Sequence, residues 1–533
     1  MTAGVLQPPV SRRVLNLGDL MTQTARRLPD LTALVWGGKS WTWAEQNDRV
    51  DAFAHALNAA GIEKGDRVLI QARNSNRMFE ALFACFKAGA VAVPVNFRLA
   101  PPEVAYIAGH SGARAIVHDH VFADHAAGAL ENMPDCCLHV VIGGTGGGQS
   151  ANDAQAFEDL VAAHRGKMFH SARVTYDDAC WFFFTSGTTG HPKAAVLTHG
   201  QMGFVVTNHL ADLMPGTTHR DASLVVAPLS HGAGIHQLSQ VARGARTVLL
   251  PGEGLDVEAA LRLIEEHRVS NMFTVPTILK RLAESDAADR FDHSSLRHVI
   301  YAGAPMYRSD QQIILTRLGK CIVQYFGLGE VTGNITVLPA YEHDADDDIQ
   351  TSGSSCGYAR TAMDVRIFDM DGNPCSPDEQ GEICVAGPAV FAGYYDNDEA
   401  NEKAFRNGFF RTGDLGVLDE AGYLTITGRA SDMYISGGTN IYPRQIEEVI
   451  LTHPAVAEVA VLGLPDEQWG EAGVAVLVLK PGSELEPEAL SHWLGGKIAR
   501  YKLPKQVFIW DELPKSAYGK VPKRLIREKL LGS

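Results

Sequence analysis

Residues 181 to 193 carry the side chains and spacing to hold a polyphosphate. An apolar stretch, Trp181 to Phe184, runs into Thr185, Ser186, Gly187, Thr188, Thr189 and Gly190, and ends His191-Pro192-Lys193. Glycines let backbone N–H groups approach phosphate oxygens closely, hydroxyls donate further hydrogen bonds, and a lysine adds positive charge. The loop is not of the Walker type, because the G-K-[ST] ending is missing. A plain surface turn needs one glycine and a polar neighbour, not an ordered run of this length. The other charged residues of interest sit in short glycine-containing contexts: Gly329-Glu330, Gly413-Asp414, Gly428-Arg429 and Gly519-Lys520. Taken singly, each reads as a turn, a helix cap or a solvated side chain.

Their order along the chain carries more than any one of them. The run from Thr185 to Lys193 resembles the phosphate loop of the adenylate-forming superfamily, which includes acyl-CoA synthetases, luciferases and nonribosomal adenylation domains. The resemblance extends over nearly the whole chain. Tyr301-Ala302-Gly303-Ala304-Pro305 is similar to the superfamily's adenine-binding strand and turn. Gln324-Tyr325-Phe326-Gly327-Leu328-Gly329-Glu330 is similar to its aromatic-Gly-x-Thr-Glu motif, which implies that Phe326 covers adenine and Glu330 binds Mg²⁺. Arg411-Thr412-Gly413-Asp414 matches the ribose motif, with Asp414 on the ribose hydroxyls, and Arg429 matches a nucleotide-binding arginine just before a hinge. The segment 436–443, with Gly437 and Gly438, resembles the loop facing the thiol tunnel, and Lys520 matches the lysine of the adenylation step. Two positions depart from the pattern: Gly329 stands where the superfamily commonly has Thr, and Ser431 where its hinge residue is usually Lys or Asp.

The chemistry implied by the resemblance is ATP-dependent activation of a carboxylic acid as acyl-AMP, followed by transfer of the acyl group to coenzyme A. A carboxylate is a weak nucleophile and ATP is polyanionic, so positive charge and in-line positioning are required. Lys193, Lys520 and Mg²⁺ on Glu330 are expected to supply that charge. The segment 227–234 matches the acyl-pocket segment, with His231 at the gate beside the carboxylate. Gly327 lies where acetate-selective relatives carry a pocket-blocking Trp, so a bulkier acid is expected, and a Trp placed there is expected to shrink the cavity. No Asp stands between Ala227 and Leu238 to hold an α-ammonium group, which argues against an amino acid. A medium-chain aliphatic and an aromatic acid both remain open. An acyl-AMP ligase loading a carrier protein shares the adenylation residues, as does a luciferase-like oxygenase. A catalytically silent nucleotide-binding protein is the non-enzymatic alternative, against which Lys193, Glu330, Asp414, Arg429 and Lys520 all stand.

The elements that must position these residues read as α/β. Thr42 to Glu45 forms a capping box ahead of a helix to Gly61. Arg67 to Ala72 and Ala90 to Pro94 read as strands around a helix from Asn76 to Ala88. Such alternation predicts parallel sheets flanked by helices in a large N-terminal domain. Beyond Ala362, short strands between Gly and Asp turns predict a β-rich subdomain, and after Gly428 a small mobile α+β C-terminal domain. The expected division is residues 1–430 and 431–533. Gly143 to Asn152 reads as a loop.

The chain has 533 residues, 45% of them hydrophobic, with 47 Lys+Arg against 62 Asp+Glu and a net charge of −15. That length exceeds what one core supports. The acidic balance argues against a bulk nucleic-acid or membrane-surface binder. The 8 cysteines lack metal or disulfide spacing, and no apolar run reads as a signal peptide or membrane helix. The expectation is a cytoplasmic protein without stable membrane insertion whose partners are small molecules, with a homodimer as the oligomeric form.

Overall fold

Local caps start the architecture. Thr42 Oγ1 accepts from the Glu45 N–H at 3.2 Å while the Glu45 carboxylate accepts from the Thr42 N–H at 2.8 Å, closing the capping box of the helix Trp43–Ala59. The helix stops ahead of Gly61, which takes φ +84. Ser75 caps the helix Asn76–Ala88, which ends on Gly89 at φ +73. These βα units build a seven-stranded sheet in the order Gln155–Ala156, Leu138–Ile142, Ala113–Asp119, Arg67–Gln71, Val91–Pro94, Ala179–Thr185, Lys193–Thr198. All pairs are parallel except the last, a hairpin whose arms bring Thr185 opposite Lys193. The computed structural model describes residues 13–143, 154–185, 192–252, 254–304, 306, 308–343, 355–436, 439–495, 497–515 and 521–532. The loop expected from Gly143 to Asn152 lies outside these residues from 144 on.

A second sheet of 14 strands holds the remainder of the large body. Its parallel part runs Thr32–Trp36, Arg246–Leu249, Ala222–Val225, Asn271–Thr274, His298–Tyr301, Ile322–Phe326. At Phe326 the chain turns through a 3-10 segment, Gly329–Val331, and returns antiparallel as Thr336–Leu338. Antiparallel strands then continue outward through Ser355–Ala359, Tyr423–Arg429, Phe409–Leu418, Gly381–Ala386 and Asp364–Phe368. The β-rich part is therefore an extension of the parallel sheet. The Glu330 turn is the point at which strand direction changes.

A third, five-stranded sheet begins at Tyr434–Ser436 and has its own core around Tyr434, Ile446, Ile450, Val461, Leu477 and Leu490. The first body's core includes Trp43, Phe53, Phe86 and Trp181; Trp181 anchors the strand that leads to Thr185. The eight cysteines form no disulfide, and among the described residues no helix is long and apolar enough to cross a membrane.

Gly357 sits in the strand that braces the Glu330 hairpin. It has φ +78, and a Cβ there would strike the main chain of Val337. Gly408 has φ +83 with open space around it. Gly408→Ala should cost about 1–2 kcal/mol, the left-handed penalty alone. Gly357→Ala should cost at least ~2 kcal/mol more, because backbone cannot yield as a side chain can. Urea midpoints check this, and equal shifts in the two variants would count against the bracing role.

Candidate active site

The phosphate-loop strand and the turn at the change of strand direction meet at one carboxylate. Glu330 is buried, and its Oε1 accepts from Thr185 Oγ1 and from the Tyr394 hydroxyl, both at 2.9 Å. Its backbone carbonyl accepts from the Phe391 N–H at 2.8 Å. The segment carrying Phe391 and Tyr394 is stitched to the strand Lys193–Thr198: Val196 N–H donates to Gly393 O, Ala392 N–H to Val196 O, and Tyr395 N–H to Ala194 O. Lys193 Nζ lies 5.2 Å from the centre of the Tyr394 ring. Burial, then the neighbouring Glu330 charge, pushes the Tyr394 hydroxyl well above its ordinary range, so it stays a donor. Tyr394 thus touches Glu330 with its hydroxyl and Lys193 with its ring face. Both hydroxyls donate to the same oxygen, Oε1.

Beside this cluster stands the gate histidine. His231 is the N-cap of the helix Gly232–Arg243, and its Nδ1 donates to the Ser230 carbonyl at 2.5 Å. The carbonyl can only accept, so Nδ1 carries a proton. The Phe183 ring packs on the imidazole, centroids 5.4 Å apart and tilted 42°. Beyond His231 the wall is aromatic. Phe273 Cζ lies 2.7 Å from where a Gly232 Cβ would stand, and Phe273 stacks on Tyr325 at 5.8 Å and 24°. Tyr325 in turn covers the main chain at Gly333. Under that turn lies buried Arg360, facing Gly333 O at 3.4 Å and Asp212 at 3.5 Å and pushed down by burial to about 10.

Asp414 and Arg429 form a second group. They are register partners on adjacent antiparallel strands, and Arg429 Nε donates to Asp414 Oδ1 at 3.0 Å. Asp414 is buried, whereas the Arg429 side chain is half exposed. Gly303 and Ala304 lie exposed in the turn after His298–Tyr301, with Gly303 at φ +82. Phe326 is half buried against the main core.

Of the sequence-selected residues, Thr185, Lys193 and Glu330 come together, and His231 adjoins them through Phe183. Ser186, Gly187, Thr188, Thr189, Gly190, Pro305, Gly437, Gly438 and Lys520 lie outside the described residues. The expectation for Gly327 needs correction: a Cβ there would strike the main chain of Gly333, so a Trp at 327 would push the turn apart before it could fill a cavity. Tyr394 and Phe183 were not singled out from sequence. The only signal for Tyr394 is a tyrosine pair following a glycine, Gly393-Tyr394-Tyr395. Phe183 is hidden in an apolar strand. Among the described residues no group of three His, Cys, Asp or Glu could hold a metal.

Tyr394→Phe removes one of two donors to a buried carboxylate but keeps the ring under Lys193. A hydrogen bond to a charged group is worth about 1.5–3 kcal/mol, so acyl-AMP formation should fall roughly 10- to 100-fold. Pyrophosphate release measures this. An unchanged rate would separate Tyr394 from the function of Glu330.

The family profile described as AMP-binding enzyme matches residues 21–395, and that of the AMP-binding enzyme C-terminal domain matches 445–520. A feruloyl-CoA synthase of Amycolatopsis sp is 36% identical over 520 residues, covering 96% of this chain and 99% of the relative. The long-chain-fatty-acid–CoA ligase FadD13 of Mycobacterium tuberculosis is 33% identical over 519 residues, covering 96% and 98%. Among solved structures, the o-succinylbenzoate CoA synthetase MenE of Bacillus subtilis, in complex with its acyl-adenylate intermediate OSB-AMP, superposes with a TM-score of 0.81. It is 30% identical, with 96% of this chain and 97% of that one covered.

Proposed function

The chain belongs to the AMP-binding enzyme family and is an AMP-forming acyl-CoA synthetase, and from that premise we propose that it activates an aromatic carboxylic acid with the residues gathered at Glu330. The observation that carries the site is the buried Glu330 carboxylate bound by Thr185 and Tyr394 next to Lys193. The observation that carries the substrate class is the ring wall beyond His231. Phe273 packs against Gly232 and Tyr325 against Gly333, so that two stacked rings rest on bare backbone near His231. A planar acid gains offset or edge contacts with such rings that a flexible chain does not. The names of the relatives divide between an aromatic and a fatty acid, and the rings favour the first.

In the first half-reaction the acid's carboxylate oxygen attacks the α-phosphorus of ATP, a new P–O bond forms, and the bond to pyrophosphate breaks. Lys193 offsets negative charge on the phosphates, and His231 holds the carboxylate end of the acid. Lys520 bridges carboxylate and α-phosphate in this reading. In the second half-reaction the CoA sulfur attacks the acyl carbonyl, and AMP departs with the bonding pair. Asp414 and Arg429 hold the ribose side of the nucleotide. The superfamily's Mg²⁺ fits the residues present: a carboxylate held in place by two neutral hydroxyls suits a hard, oxygen-seeking cation, and Glu330 would hold it. When bound, it neutralises charge on the phosphates.

We also place the pivot of a C-terminal domain at 431–433. The break between the strand Tyr423–Arg429 and the separate sheet opening at Tyr434 supports the division at 430/431.

A panel of benzoate, phenylacetate, cinnamate, hexanoate and octanoate, scored by pyrophosphate release with and without CoA, tests the reading. The expected result is turnover of at least one aromatic acid above both aliphatic acids, with thioester only when CoA is present. A preference that rises with aliphatic chain length would overturn the substrate class. Thioester formation on carrier protein but not on CoA would favour the carrier-loading alternative.

The two half-reactions should separate by mutation. Lys520→Ala should slow acyl-AMP formation on the order of 10²–10³-fold, the usual effect of losing one electrostatic contact at a developing charge. It should leave conversion of synthetic acyl-AMP plus CoA intact. Gly438→Leu should do the opposite. Equal slowing of both steps by Lys520→Ala would rule out a role confined to adenylation.

A further inference from the structure

Gly329 has no conformational reason to be glycine: it opens a 3-10 turn and is not among the residues with positive φ. The reason is space. A Cβ on Gly329 would stand 2.6 Å from Phe183 Cδ1, 2.7 Å from Phe183 Cε1 and 2.9 Å from Thr185 Cγ2. The volume that a side chain at 329 would fill is occupied by the Phe183 ring, which also packs against the His231 imidazole, with centroids 5.4 Å apart. The same strand places Thr185, two residues on, against the Glu330 carboxylate at 2.9 Å. The Phe183 ring therefore lies between the turn that carries Glu330 and the helix cap that carries His231.

We propose that Phe183 is a positioning residue for His231, and that glycine at 329 is the condition that lets its ring lie there. The inference rests on the reading of His231 as the group beside the acid's carboxylate. The imidazole is tethered at Nδ1 to Ser230 O, which holds one edge of the ring. The Phe183 ring, tilted 42° against it, packs beside the imidazole and helps set the direction in which Nε2 points. A methyl group at 329 reaches His231 only by displacing the Phe183 ring. Gly329 and Phe183 thus form a coupled pair acting on the acid side of the site. The absence of a hydroxyl at 329 is the consequence of a ring taking its place.

The test is a double-mutant cycle read at the acyl-AMP step, with KM for acid and for ATP measured separately. Phe183→Ala frees the imidazole and should raise KM for the acid about tenfold while KM for ATP stays within about twofold, the signature of lost positioning on one substrate. Gly329→Ala should cause a similar or larger loss by displacing the ring. The double variant Phe183→Ala/Gly329→Ala should be no worse than Gly329→Ala alone, since the ring that the methyl group displaces is already gone and the Thr185 Cγ2 contact at 2.9 Å is left to adjust. Contacting residues commonly couple by about 0.5–3 kcal/mol, roughly a 2- to 100-fold departure from multiplicative behaviour. Phe183→Leu, which keeps apolar bulk without a flat face, should fall between wild type and Phe183→Ala. Losses that multiply in the double variant, or KM values for acid and ATP that rise together, would overturn the proposal. His231→Ala distinguishes the levels: if it leaves acid kinetics unchanged, the reading of His231 itself fails. If it impairs them while Phe183→Ala does not, only the positioning role fails. Urea midpoints of every variant identify a variant that has lost its fold, and the Leu variant keeps the test decisive in that case.

Discussion

One buried carboxylate oxygen organises this molecule. Removing a carboxylate from water is costly unless it is hydrogen-bonded or paired. Glu330 Oε1 meets that cost with two neutral hydroxyls, Thr185 and Tyr394. The charge is therefore kept while its position is fixed. Each donor arrives on a different piece of chain. Thr185 ends a strand of the seven-stranded sheet, Glu330 occupies the turn where the 14-stranded sheet changes direction, and Tyr394 belongs to a segment laid along Lys193–Thr198. Three segments distant in sequence are closed on one atom.

Opposite charges proposed to serve the same polyphosphate gain nothing by neutralising one another first. Lys193 and Glu330 share a neighbourhood, and at short range in a partly buried site their attraction would be strong. The Tyr394 ring lies between them, offering Lys193 a cation–π face and Glu330 a hydroxyl. Both charges are held, and neither is spent on the other. Asp414 and Arg429 follow the other strategy: they pair directly at 3.0 Å, and a ribose there would share Asp414 with the arginine.

Element identity was largely legible in the sequence because caps and glycine stops are local. The capping box at Thr42, the stop at Gly61 and the helix read from Asn76 to Ala88 are reproduced by the structure within a residue or two. Sheet membership was less legible. Whether Thr336–Leu338 opens a new subdomain or returns against Ile322–Phe326 depends on the geometry of the turn at 329–331, which no periodicity encodes. At the site, charged residues in ordered motifs could be found, whereas Tyr394 and Phe183 could not. Their roles arise from contacts to Glu330, Gly329 and His231 that are separated by 64, 146 and 48 positions in the numbering. Gly327 shows the converse error. Its type and motif placed it on the acyl wall, but the direction of its missing Cβ, toward Gly333, is a property of the folded turn alone.

The backbone around the proposed pivot explains how a moving domain can leave the nucleotide side of the site undisturbed. The ladder between Phe409–Leu418 and Tyr423–Arg429 carries Asp414 opposite Arg429, and it is extended by one more bond, from the Ala430 N–H to Gly413 O at 3.0 Å. After Ala430 the pattern changes. Asp432 N–H and Met433 N–H both turn back to Arg429 O, at 3.1 and 3.2 Å, and no longer reach the neighbouring strand. Residues up to 430 are thus bound into the large sheet, while among the described residues the backbone N–H groups of 432 and 433 bond to the chain immediately before them. Rotation there breaks local turn bonds and leaves the ladder intact. Ser431, a small polar residue at this point, carries no side-chain bond to the sheet beyond a 3.5 Å contact with Asp432. A pivot needs a place where the next rigid element can swing without unzipping the last one, and the end of the ladder at Ala430 provides it one residue after Arg429.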